Sequence, residues 1–422
     1  MHKSEHMKSS LFFAISATLV LASAAYAQQP EPSLAPAPAP QPMYSPTGTS
    51  PVTGSTQQGG IPLGPITAYP SVNLGVQRND NLFYNPNNKT ADTIEILNPA
   101  VRLEAKQGNN TYSLDLGTTI GRYNTSTADN YDDYNANGLA NFDITGRLRA
   151  RVRLDYLDSH DPRGSTNNAI STTPDRWRQT YAQGIISYGA LGAKGRVDFE
   201  LGQLRRDYYN NRVNTALNDR VVDDVGATFY WRIAPKTSLL VQGKHSKFDY
   251  TNPGSTLDST ENRLLGGVTW EATAKTTGVF KIGTVKKDFN DASRTDFSGV
   301  SWEGQILWSP LTYSHVNFNL SKTPVETTGA IGNFIDKTTT GAVWTHDWSS
   351  RVTTDVSASY MNDQYKGLAR TDKIQNFGLR ATYKMRRWLN FGADYSYTNR
   401  NSDDNNFDYQ RNLFMLFVRA TL

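Results

Sequence analysis

Four arginines occupy alternate positions in the run Arg147-Leu148-Arg149-Ala150-Arg151-Val152-Arg153-Leu154-Asp155. In an extended chain, residues two apart share a face. Arg147, Arg149, Arg151 and Arg153 therefore form one column, and Leu148, Ala150, Val152 and Leu154 form its apolar back. Guanidinium is always charged and grips carboxylates and phosphates through two parallel hydrogen bonds. Such a column suits an anionic solute. It equally suits pairing with acids on neighbouring strands, and Glu104, Asp115, Asp198, Glu200, Glu271 and Glu303 share its parity. Further cations of that parity are Arg102, Arg232, Arg263 and Arg380, and Tyr230, Asn317, Asn319 and Asn390 add neutral groups that bond and stack on sugars.

Other chemistry finds less material. The chain has no cysteine, which excludes disulfides, thiolate metal sites and an acylated lipoprotein. Of six histidines, His2 and His6 precede the expected mature chain, and His160, His245, His315 and His346 are scattered without metal-ligand spacing. His315, Asn317 and Ser321 share a strand face but stand too far apart for a hydrogen-bonded triad. The acidic runs Asp129–Asp133 and Asn401–Asn405 lack the spacing of a calcium loop and read as solvated. No catalytic residue, metal or cofactor is expected, and the chain is not expected to be an enzyme.

The elements that must carry the arginine column are strands. From Ile66 onward, stretches alternate apolar and polar residues, as in Val225–Ile233, where Val225, Ala227, Phe229, Trp231 and Ile233 share one face. The connections alternate too. Short ones, such as Gln107–Asn110, Ala234–Lys236 and Ser349-Ser350, follow long polar ones, such as Asn79–Ala91, Ser159–Asp175 and Pro324–Asp336. Tight periplasmic turns on one rim and longer loops on the other define a transmembrane barrel. The pattern predicts an all-β, antiparallel up-and-down barrel of 18 strands, with 16 as the alternative. The weakest strands are 134–144, 176–189 and 337–348. Trp231, Trp308, Trp348, Tyr250, Tyr395 and Tyr397 near strand ends fit aromatic girdles. Phe414, Leu416, Val418, Ala420 and Leu422 form the outer face of a closing strand.

The composition agrees. Mean hydropathy is −0.56, against a helical membrane bundle, and the net charge of +4 is too small to point to nucleic acid. Lys8, the apolar Leu11–Leu21 and Ala25-Tyr26-Ala27 form a signal peptide over 1–27. Residues 28–65 form a Pro-rich segment expected to be extended and disordered in the periplasm, and 66–422 the barrel.

Several stretches carry a family resemblance. They are Tyr69–Phe83, Ile96–Leu103, Tyr131–Tyr134, Asp161–Ser165, Trp302–Pro310 and Asp408–Asn412. With them the chain resembles the β-barrel porins associated with bacterial exopolysaccharide secretion, over the whole of 66–422. The resemblance implies an outer-membrane pore that carries a secreted polysaccharide from periplasm to cell surface. It also implies as partners periplasmic polysaccharide export proteins, the barrel assembly machinery and outer-membrane lipid. Passage is expected to be passive, since no nucleotide site is visible. The rivals are a general diffusion porin, a non-transporting envelope barrel and, least supported, an outer-membrane hydrolase. Against the first, the longest loop, Ser159–Asp175, is modest for a constriction loop folded into the barrel.

Overall fold

The structure, a computed structural model, describes residues 59–421 apart from 191, 274 and 329–331. The expected signal peptide and most of the Pro-rich segment lie outside the described residues. The end of that segment holds a short strand, β1 (Ile61–Leu63), which folds back as a hairpin onto the next.

Eighteen longer strands follow. They are β2 (Ile66–Asn79), β3 (Asp92–Gln107), β4 (Asn110–Tyr123), β5 (Tyr131–Asp143), β6 (Leu148–Asp161) and β7 (Asp175–Tyr188). Next come β8 (Gly195–Tyr208), β9 (Arg220–Ala234), β10 (Thr237–Tyr250), β11 (Ser259–Thr273), β12 (Thr276–Phe289) and β13 (Phe297–Leu311). The last are β14 (Ser314–Val325), β15 (Phe334–Asp347), β16 (Val352–Lys366), β17 (Arg370–Arg386), β18 (Leu389–Ser402) and β19 (Tyr409–Thr421). Each pairs antiparallel with its neighbours in sequence, and β19 pairs with β2 from Leu413↔Asn79 to Thr421↔Ser71, which closes the barrel. The three weakest expected strands are present as β5, β7 and β15, so the count is 18 and the alternative of 16 falls.

The alternation read from sequence is the alternation of faces. Leu154, Phe199, Leu201, Val225, Phe229, Val241, Leu264 and Leu416 are exposed on the outside. Their sequence neighbours Glu200, Thr228, Leu240, Leu265 and Met415 are buried on the inside. Strands of 12–17 residues exceed the roughly 9–11 that cross a bilayer when tilted, so they project beyond it. Exposed Tyr188, Trp231, Trp308, Tyr313, Trp344, Trp348, Tyr383 and Trp388 cluster at the short-turn end and form the expected periplasmic girdle. Tyr250 does not join a girdle. It has lumen parity, is buried, and its hydroxyl donates to Glu326. Leu422 lies outside the described residues.

Candidate functional site in the barrel lumen

The register places the predicted cations inside. Arg149, Arg151 and Arg153 stand in line on β6 and face the lumen, since the alternate residues Val152 and Leu154 are exposed outside. Arg147 falls one residue short. It lies in the exposed turn before β6, because the backbone of Leu148 is already tied to Thr145. It extends the column onto the rim rather than into the wall.

Pairing with acids claims some of these cations. Arg153 binds Asp155 (2.7 Å), and Arg102 binds Glu104 (2.5 Å) and Asp115 (3.0 Å). Arg263 bridges Glu261 (3.0 Å) and Glu303 (2.8 Å), while Lys281 takes the other oxygen of Glu303 (2.7 Å). Arg380 binds Asp394 (2.5 Å), and Lys244 lies between Glu200 and Asp224. Arg149, Arg151 and Arg232 make no ion pair among the described residues. Arg149 donates to the Gly189 carbonyl (3.4 Å) and Arg151 to the Asn141 amide oxygen (2.9 Å). These three sit close to the short turns: Arg149 and Arg151 near the start of β6, Arg232 near the end of β9. Of the cations predicted from the sequence, those without an ion pair thus lie near the periplasmic entrance, while Arg206, Arg220 and Arg411, also without one among the described residues, face the lumen at the outer mouth and bond to neutral groups.

On the opposite wall the column of β14 is neutral, although Glu303 on β13 and Lys337 on β15 stand beside it in ion pairs of their own. His315, Asn317, Asn319, Ser321 and Thr323 run in line on β14, eight strands from β6 in one direction and ten in the other. Asn317 Oδ1, Ser321 Oγ and, on β15, Thr339 Oγ1 are buried and unpaired among the described residues. Such a column offers hydrogen bonds without charge, the recognition that sugar hydroxyls accept. His315 is taken by Ser309 Oγ (2.9 Å), not by a residue of its own strand. Tyr230 stacks under Arg196 at 4.1 Å.

The outer mouth departs from the sequence reading. The longest loop is not too modest to enter the barrel: Pro162–Pro174 folds inward and reaches the far wall. The backbone N–H of Asn167 donates to the Thr328 carbonyl (3.2 Å). Its side-chain amide donates to the Tyr365 hydroxyl (3.3 Å), and Arg370 donates to Asn167 Oδ1 (3.1 Å). Arg370 is itself held by Asp372 (2.7 Å) and by the Phe407 ring at 3.4 Å. At the near end Arg163 pairs with Asp129 and covers the Phe83 ring at 4.4 Å. Asp129 is thus buried in a salt bridge, not solvated, and its carboxylate holds the Arg163 guanidinium above its ordinary range. Gly164 has φ +79°, and a side chain there would meet the Phe83 carbonyl at 2.3 Å, so only glycine lets the arm cross the first loop. That loop also turns inward and seats Leu82 on a lumen patch of Ile94, Ile96, Tyr123, Tyr131, Met415 and Phe417.

A second anchor lies beneath Thr328. Lys287 on β12 has no exposed side-chain surface, and its ammonium lies 2.7 Å from Glu326. The Tyr250 hydroxyl donates to the other Glu326 oxygen (2.5 Å), and the ammonium sits 3.6 Å from the Phe248 ring centre. Burial opposes ionisation of Glu326, but Lys287, the Tyr250 hydroxyl and Arg220 outweigh it and hold the carboxyl below its ordinary range. Sequence reasoning missed Asn167, Lys287, Glu326 and Arg370. Only Lys287 carried a local signal, since strand alternation turns Lys286 outward and Lys287 inward.

These contacts make the arm testable. Asn167→Ala removes two side-chain hydrogen bonds, together about 1–3 kcal/mol, which shifts a docked arm by about 5- to 150-fold. Single-channel currents in planar bilayers should rise in amplitude or open fraction. Currents identical to the natural protein would show that the arm does not limit flow.

A closed barrel with an apolar exterior, an aromatic girdle and a charged, polar lumen is an outer-membrane channel of a Gram-negative cell. The chain belongs to the family described as "Putative beta-barrel porin 2", which matches residues 55–422. Among solved structures it is similar to OpdO of Pseudomonas aeruginosa, at 11% identity and a TM-score of 0.48 over 85% of this chain and 97% of that one. It is similar to the outer membrane protein OpdK of the same organism, at 11% identity and 0.45, over 84% and 99%. It is similar also to a BenF-like porin of Pseudomonas fluorescens, at 12% and 0.46, over 84% and 99%. No curated protein matches it.

Proposed function

We propose that this porin exports an exopolysaccharide from the periplasm to the cell surface. The observation that carries the reading is a group of lumen arginines without ion pairs at the periplasmic entrance. Arg149, Arg151 and Arg232 lie at the periplasmic entrance, with exposed Arg147 on the rim. They meet a polymer arriving from inside and draw in acidic sugars by a field that salt screens. Farther around the wall, the amide and hydroxyl column of β14 offers bonds to sugar hydroxyls without a charge that would trap the chain. Periplasmic export proteins would deliver the polymer and the barrel would pass it passively.

A strain lacking the gene should keep its polymer inside the envelope while synthesis continues. Arg149→Glu with Arg151→Glu should lower secretion at unchanged barrel abundance. Unchanged surface polymer after deletion would end the export reading. One observation favours a second reading, a diffusion porin for small solutes: the Pro162–Pro174 arm narrows the mouth to something less than an open tube. Flux of small sugars and acids into liposomes, with no secretion phenotype, would establish it.

A further inference from the structure

The pocket around Lys287 has the build of a receptor for a carboxylate. Its walls belong to four barrel strands: Arg220 on β9, Phe248 and Tyr250 on β10, Glu261 on β11 and Lys287 on β12. They are in place whatever occupies the centre. The occupant comes from elsewhere. Glu326 follows β14 and reaches back past β13 to Lys287, and past three strands to Tyr250. Both of its oxygens are used, one by the ammonium at 2.7 Å and one by the phenol at 2.5 Å. The ammonium is fully enclosed and lies against the Phe248 ring. Glu261, the other acid nearby, pairs with Arg263 (3.0 Å) and acts on Lys287 without contacting it.

We infer that this pocket binds the carboxylate of an acidic sugar, that Glu326 occupies it as a tethered stand-in, and that a passing acidic chain displaces Glu326 and so frees the arm across the mouth. The mechanical link is short. Glu326 holds Thr328 two residues on, and the Thr328 carbonyl receives the Asn167 N–H of the arm. Once Glu326 leaves, that acceptor moves and the arm keeps, at the far wall, only Tyr365 and Arg370. Lys287 stays paired throughout, with the protein's carboxylate before and the sugar's after, so the exchange leaves no buried charge alone. The inference rests on the reading of the lumen as a path for acidic chains.

The test is a planar-bilayer recording of the full mature barrel with trigalacturonate as probe and maltotriose as neutral control. Trigalacturonate should raise the open fraction in proportion to its concentration, and maltotriose should not. Glu326→Gln should raise the open fraction without probe and abolish the response. Asn167→Ala, which frees the arm and leaves the pocket whole, should start high and respond little. A natural barrel indifferent to trigalacturonate while Glu326→Gln opens it would overturn the inference, leaving Glu326 a strut. An equal response to both sugars would overturn it as well. If Glu326→Gln does not insert, the two-sugar titration of the natural barrel decides alone. Secretion in the deletion strain is a separate readout, so loss of the export reading and loss of this site are told apart.

Discussion

Replacing Glu326 with leucine should destabilise the barrel by about 3–5 kcal/mol, the usual cost of removing one partner from a buried ion pair. Lys287 has no exposed side-chain surface and has Glu326 as its ion-pair partner. Its ammonium cannot turn to water, and the facing Tyr250 hydroxyl is a donor into the same space. Lys287→Met in the same chain should recover most of the loss, because an apolar pair of similar volume is often neutral or better in such a place. Denaturant titration in micelles, run as a double-mutant cycle, measures both. The pH dependence has a definite sign. The Glu326 carboxyl is held below its ordinary range, so the stability of the pair is complete above that range and is lost as pH falls through the lowered value. The leucine penalty should be the same at about pH 7 and about pH 5, and should shrink only in more acidic solution. A penalty that vanished by mild acidification would mean that Lys287 does not hold Glu326 ionised.

Ala227→Arg should cost about 2–4 kcal/mol, and the same charge at Gln305 should cost little. Ala227 belongs to the exposed apolar row Val225, Ala227, Phe229, Trp231 and Ile233 on β9 and lies four residues from the girdle Trp231, deeper in the bilayer than Phe229. Arginine on a lipid face is most expensive at the bilayer midplane and nearly free at its edges. Gln305 on β13 is exposed on the lumen side, where water solvates a cation. Folding free energies in phospholipid vesicles should separate the two variants. Equal costs would mean that the faces of the sheet are assigned the wrong way round.

The sheet was legible in the sequence because one rule repeats along its whole length. Every strand must turn alternate residues to lipid, so Leu148, Ala150, Val152 and Leu154 fix where Arg149, Arg151 and Arg153 point. The short and long connections then set the count and the rim. Even the least regular strands, β5, β7 and β15, obey the rule, since their neighbours on both sides demand a partner. The mouth was not legible, and for a physical reason. Asn167 meets residues 198 and 203 positions away, and a polar loop rich in Asn, Ser and Pro has the same composition whether it points into water or across a lumen. Glu326 carries no local mark either, since its partner is chosen by the curvature of the wall. Alternation reveals which side of the wall a lumen arginine occupies, but not its partner: Arg102, Arg263 and Arg380 found carboxylates, and Arg149 and Arg232 did not.

The seam between β2 and β19 has a consequence for biogenesis. The first strand of the barrel wall, β2, waits for β19, and Ser71 finds Thr421 only once β19 has been made. Until then both margins of the sheet carry unmet amides and carbonyls, each a template for pairing with another copy. A chain stopped before residue 409 would have a β2 that no later strand can satisfy. Ribosomal stalling or proteolytic clipping near the end would therefore yield a sticky ribbon rather than a slightly shorter pore. Closure of the sheet therefore hangs on a single joint, made last.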